Sequence, residues 1–125
     1  MCGFVGIINS KAVGVSADVI ERMLLPIVHR GPDDSGVAIE GQVGLGFRRL
    51  SILDLSPQGH QPMHSADGRY TIVFNGEIYN YIELREQLQA KGHRFRSTGD
   101  TEVLLAPMSI GERIAWNASM ACGPS

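Results

Sequence analysis

Cys2 is a place where one residue can hold both a nucleophile and the base that activates it. Once Met1 is removed, the thiol and the α-amine share a residue, with reference pKa values of about 8.5 and about 7.7–8.0. An amine of that basicity accepts the thiol proton near neutral pH, directly or through one water, and an N-terminal nucleophile acting with its own amine is an established activation scheme. The alternative is a small buried cysteine at the start of a strand. Asn75-Gly76 offers a second element, a carboxamide beside a backbone N–H, which is what an oxyanion hole requires. Glycine there lets backbone approach a substrate closely, although the same dipeptide also makes an ordinary turn. Arg48 and Arg49 offer a guanidinium to grip a carboxylate through two parallel hydrogen bonds, or else form a solvated basic pair. Asp100 and Glu77 are candidates to bind an ammonium group, or are solvated loop acids.

The elements that must position these residues follow from periodicity. Phe4 to Ile8 is an apolar, β-branched run and reads as a buried strand. Ala17 to Ile27 places Val19, Ile20, Met23, Leu24 and Ile27 at helical spacing. His29 to Gly36, HRGPDDSG, has the composition of a turn. Val37–Ile39 and Val43–Phe47 bracket Glu40, Gly41 and Gln42 as a hairpin. Ser51 to Leu55 is a short apolar stretch, and 56–68 is a polar loop with Pro and Gly. Tyr70 to Phe74 predicts a strand that runs into Asn75-Gly76. Asn80 predicts a helix N-cap with Glu83 as its capping-box partner. Ile82, Leu84, Leu88 and Ala90 continue that helix, and Gly92 is its terminator. His93 to Ser97 predicts a strand and Asp100 to Leu105 a further helix. Hairpins with clustered helices, rather than regular βαβ alternation, indicate an α+β fold with antiparallel sheets.

Composition narrows the class. The chain has 125 residues, enough for one domain, and its 43% hydrophobic and 19% charged residues are those of a globular protein. A formal net charge of −2 gives no footprint for nucleic acid or an acidic membrane. No apolar run approaches the roughly 20 residues of a membrane helix, and the N-terminus lacks a basic region and cleavage site for secretion. Cys2 and Cys122 fit a reducing compartment, with the cytoplasm as the default. His60 and His64 flank Pro62, so no helical pair of metal ligands is expected, and His29 and His93 lie elsewhere. Gly44-x-Gly46 lacks the third glycine and the helix of a dinucleotide fingerprint.

The motifs MCGFVGI, HRGPDDSG, RRLSILD, FNGEIYNY and STGDTEVLLA, in this order and spacing, resemble the class II glutamine amidotransferases. HRGPD, RRLSI, QGHQPM and NGEIYN resemble the asparagine synthetase branch rather than the sugar-phosphate or purine branches. The resemblance covers residues 2–106. It implies an N-terminal-nucleophile hydrolase-like four-layer αββα sandwich, incomplete in this chain. It also implies that Cys2 attacks the amide of L-glutamine to give a glutamyl thioester and ammonia, and that water then releases glutamate. By the same resemblance the Asn75 side chain and the Gly76 N–H hold the oxyanion, and Arg49 clamps the α-carboxylate. Leu50, Ser51, Ile52 and Leu53 line the same pocket, while Glu77 and Asp100 take the α-ammonium. No cofactor is implied for this part. ATP and Mg²⁺ belong to a C-terminal synthetase domain, where ammonia and an adenylated aspartate give asparagine, and family members are often homodimers. A related amidohydrolase of the same superfamily is the alternative.

The tail 107–125 matches nothing in that family, and the synthetase domain is expected to be missing. Back-translated with GCG for Ala106, CCT for Pro107, ATG for Met108 and AGT for Ser109, then shifted by one base, the tail can read AYEYWGADCVERLNGMWAF with permitted codons throughout. That string resembles the family's continuation after DTEVLLA, so a frameshift near Ala106 is expected, with Cys122 an out-of-frame residue. A third reading is a truncated, catalytically inert fragment whose strand edges are left unpaired.

Overall fold

The computed structural model describes residues 2–51 and 56–109. Of the expected Ser51–Leu55 stretch only Ser51 is therefore described, and of the 107–125 tail only residues 107–109. The chain forms two compact units. Within the described residues the first comprises 2–51, 60–62 and 73–75, and the second 56–59, 63–72 and 76–109. The content is α+β with antiparallel sheets, as the clustering of strands and helices indicates.

The first unit is a three-stranded sheet in the order β1-β3-β2, from β1 (Gly3–Ile8), β2 (Asp34–Glu40) and β3 (Val43–Arg49). Both pairings are antiparallel, running from Gly3↔Arg48 to Ile8↔Val43 and from Asp34↔Arg49 to Glu40↔Val43. Gly41 turns the β2–β3 hairpin at φ 57°, a left-handed conformation that favours glycine. The strands are longer than the hydrophobic runs alone predict. Asp34, Ser35 and Gly36 were expected in a turn, yet they pair along β3. The turn is confined to the residues before them, where the Asp33 N–H donates to the Arg49 carbonyl at 3.0 Å.

Helix α1 (Ala17–Leu24) packs across this sheet. It ends earlier than the apolar spacing predicts and continues as a 3₁₀ segment, Leu25–Arg30, because Pro26 brings no N–H for an α-helical bond. Ile20 and Leu24 are buried against β3 at its two glycines. A methyl group on Gly46 would lie 2.6 Å from Ile20 Cγ2 and 3.0 Å from Leu24 Cδ1. Gly44-x-Gly46 thus serves close helix–sheet packing, and each buried aliphatic side chain contributes about 1.5–3 kcal/mol. Phe47, on the other face of β3, is 1% exposed.

The second unit contains the short strands β4 (Met63–His64) and β5 (Thr71–Ile72), paired antiparallel, with helices α2 (Tyr81–Ala90) and α3 (Thr101–Ser109). The expected Tyr70–Phe74 strand is cut to Thr71–Ile72. Asn80 does stand at the N-cap of α2, but its side chain makes no capping bond and its φ/ψ of −98°/25° is not the extended conformation capping needs. The capping box with Glu83 is therefore not formed. Gly92 ends the helix at φ 97°, as expected, with the His93 N–H donating to the Leu88 carbonyl at 3.0 Å. No strand forms over 93–97. The Glu102 carboxylate takes the N–H groups of Arg96 and Ser97, and Arg85 takes the Ser97 carbonyl, so side chains occupy the groups a strand would pair. Among the described residues no helix is long and apolar enough to cross a membrane.

Candidate functional site

The first unit places the nucleophile candidate at the entry to β1. Cys2 is half-buried, and its sulfur accepts the Leu50 N–H at 3.3 Å while lying 3.5 Å from the Leu50 carbonyl oxygen. Leu50 follows directly on β3, so the central strand carries the backbone that clasps the thiol. Alternation along β3 separates the two arginines to opposite faces. Arg48 lies on the helix side and donates from Nε to the Gly31 carbonyl at 2.9 Å. Arg49 is 8% exposed and shares the other face with Phe47. Glycine is required at position 31 because a Cβ would collide with the Arg48 carbonyl.

Asn75 reaches the same residue from a distant part of the chain. Its Nδ2 donates to the Cys2 carbonyl at 3.0 Å, leaving the rest of the side chain exposed. Ser51 is held by the Asp33 carboxylate, which accepts its N–H at 2.8 Å. Asp34 binds His60 Nδ1 at 2.6 Å and so ties residues 60–62 to β2. The HRGPDDSG segment, read from sequence as a turn, is therefore also a brace for both flanks of the site. Sequence reasoning assigned no role to Asp33, Asp34 or Gln61, although all three fall inside motifs that carry the family resemblance.

The second unit holds Gly76, Glu77 and Asp100. Asp100 is 6% exposed, and its Oδ2 accepts the Ile78 N–H at 3.0 Å. Burial raises its carboxyl above the ordinary value; the Ile78 N–H opposes that shift and the charge of nearby Glu77 adds to it. The loop leading to Asp100 is fixed by a guanidinium. Arg85 donates to the carbonyls of Ser97 and Gly99, both at 2.7 Å, and stacks over the Phe95 ring at 4.7 Å. The Glu102 carboxylate closes the other side by accepting from Ser97 N–H and Oγ, both at 2.7 Å.

Of the candidates, Cys2, Leu50 and Asn75 are brought into direct contact, and Arg49 is the residue preceding Leu50. Gly76, Glu77 and Asp100 form a second group, in the second unit. Ile52 and Leu53 lie outside the described residues, as does Met1. His60 and His64 are engaged elsewhere, the latter with Thr71 Oγ1 at 2.9 Å. Among the described residues no group of three or more His, Cys, Asp or Glu is arranged to hold a metal. A cavity of about 390 Å³ on the helix side of the sheet is lined by Glu21, Leu24, Val28, Val37 and Arg48 among others, and not by Cys2, Asn75 or Arg49.

The Cys2 thiol is thus clasped by the Leu50 backbone, and the Cys2 backbone carbonyl accepts the Asn75 side-chain N–H. A profile of the glutamine amidotransferase domain matches residues 1–117. The chain belongs to the glutamine amidotransferase domain family. It is 55% identical over 109 residues to glutamine-hydrolysing asparagine synthetase 1 of Bacillus subtilis, covering 85% of this chain and 17% of that protein. Synthetases 2 and 3 of the same organism are each 44% identical, over 108 and 109 residues, and each match covers 84% of this chain. The chain spans 14% and 17% of their lengths.

Proposed function

We propose that this chain carries the glutamine-hydrolysing site of an asparagine synthetase, with Cys2 as its nucleophile. The observation that carries the reading is the Cys2 sulfur held at the Leu50 backbone while the Asn75 amide binds the carbonyl of the same cysteine. Loss of Met1 would free the Cys2 α-amine, which takes the thiol proton as the sulfur attacks the side-chain amide carbon of glutamine. The Asn75 amide nitrogen has two hydrogens. One anchors it to the Cys2 carbonyl, and the other, with the Gly76 N–H, stabilises the oxyanion. When the C–N bond breaks, the α-ammonium returns its proton to the leaving nitrogen and ammonia departs. Water then hydrolyses the Cys2 thioester to glutamate.

In this reading Arg49 clamps the glutamine α-carboxylate, the segment Leu50–Leu53 lines the pocket, and Glu77 with Asp100 takes the α-ammonium. The domain proposed is a partial four-layer αββα sandwich over 2–106, acting in a reducing compartment such as the cytoplasm. ATP and Mg²⁺ enter only at the synthetase step, in a domain outside this chain, where ammonia and aspartate give asparagine. The proposed frameshift in 107–125 is tested by the nucleotide sequence of that segment, whose shifted frame must spell the family-like string.

The proposal is tested by incubating the purified 125-residue chain with L-glutamine. Glutamate and ammonia released in equal amounts support it; glutamine left unchanged contradicts it for this chain.

A further inference from the structure

We infer that Gln61 is the positioning residue that sets the Asn75 amide in place. The inference rests on the proposed role of Asn75 as oxyanion donor. Gln61 is 7% exposed, and its carboxamide binds the Phe74 backbone at two points. Gln61 Oε1 accepts the Phe74 N–H at 2.7 Å, and Gln61 Nε2 donates to the Phe74 carbonyl at 3.3 Å. A primary amide carries the same donor and acceptor as a peptide group. Gln61 therefore takes the place of a neighbouring strand at a point where none pairs among the described residues.

The Phe74 carbonyl belongs to the peptide that joins Phe74 to Asn75. Holding it fixes the plane from which the Asn75 side chain extends to the Cys2 carbonyl, 3.0 Å away. Gln61 is itself anchored. Its own backbone carbonyl sits directly on Gly36 of β2, where a Cβ would collide with it. The residue before it, His60, is bound to Asp34 at the start of the same strand. Position is thus passed from β2 through Gln61 and Phe74 to Asn75. Sequence alone could not show this, because the contact is between a side chain and the backbone of a residue distant in the chain.

A residue that acts by placing an oxyanion donor affects the transition state more than bound glutamine. Gln61→Ala should lower kcat for glutamine hydrolysis by about ten- to a hundredfold while KM stays within about twofold. In an Asn75→Ala background the same change should cost almost nothing further, since both act through one group. Gln61→Glu keeps the acceptor for the Phe74 N–H but sets a carboxylate against the Phe74 carbonyl, so it should lower kcat with the fold retained.

Amide hydrogen exchange on the 125-residue chain gives a readout independent of turnover. The Phe74 N–H should be protected in the wild type and in Gln61→Glu, and should lose protection in Gln61→Ala. Unchanged Phe74 protection in Gln61→Ala overturns the inference, whether or not the chain hydrolyses glutamine. So does a kcat loss that is fully additive with Asn75→Ala. A wild-type chain without turnover, but with Phe74 protection lost in Gln61→Ala, overturns the functional reading and leaves the Gln61–Phe74 linkage standing.

Discussion

The Cys2 sulfur lies 3.3 Å from the backbone nitrogen of Leu50, a residue 48 positions further along the chain. The antiparallel pairing of β1 with β3 makes that contact, because it brings the start of one strand beside the end of the other. Registry therefore controls the chemistry. A one-residue slip would turn the β1 and β3 faces over relative to each other and withdraw Leu50 from the thiol.

The proposed chemistry requires removal of Met1. With Met1 attached, the Cys2 nitrogen is an amide and has no basicity to activate the thiol. Intact mass spectrometry of active protein should show Met1 absent. Full retention of Met1 in an active chain would remove the α-amine from the mechanism.

The two neighbouring arginines should behave differently. Arg49 is proposed to clamp the substrate carboxylate through charge-assisted hydrogen bonds worth about 1.5–3 kcal/mol each. Arg49→Ala should raise the glutamine KM about tenfold or more. Arg48 lies on the opposite face and is bound to the Gly31 carbonyl, so Arg48→Ala should leave KM within about twofold. The reverse ranking would place the clamp on Arg48.

Asp100 gives a pH dependence of stability. Its carboxyl is raised by burial, so the folded chain keeps that proton to a higher pH than the unfolded chain. Folding then takes up a proton between the two pKa values, and stability falls as pH rises through that window, which begins at about 3.9. Asp100→Asn keeps an acceptor for the Ile78 N–H and removes the buried charge. Thermal melts across pH should show the variant as stable as wild type or more so at pH above the window, with the gap closing as pH falls. A gap that grows against the variant as pH rises would contradict this assignment.

Sequence showed those parts of the fold that depend on local pattern. The Glu40-Gly41-Gln42 turn and the spacing of Ile20 and Leu24 each named an element correctly. The β-branched run after Cys2 named a strand but not its burial, since Phe4 is 53% and Ile8 77% exposed. It failed where tertiary partners decide. Asp34 and Ser35 have turn composition, yet the length of β3 draws them into a strand. The 93–97 segment looked extended, but Arg85 and Glu102 bind its backbone groups. Asn80 sits where a cap belongs, with a backbone conformation that prevents capping. The motifs named Cys2, Asn75 and Arg49 as candidates in the first unit and Asp100 as a candidate in the second. They left open how the thiol is held, because the clasp is Leu50 backbone and backbone groups leave no mark on residue type. Strand register adds that the two arginines lie on opposite faces of β3, Arg48 bound to the Gly31 carbonyl on the helix side and Arg49 buried beside Phe47.

In the proposed mechanism the glutamyl group of glutamine becomes covalently attached to Cys2 as ammonia leaves. Acid-quenched intact mass spectrometry of the chain mixed with excess glutamine tests it most directly. A glutamyl adduct should map to Cys2, and Cys2→Ala should show neither adduct nor glutamine hydrolysis while still binding glutamine. Glutamine hydrolysis that persists in Cys2→Ala, or an adduct that maps to another residue, would contradict it.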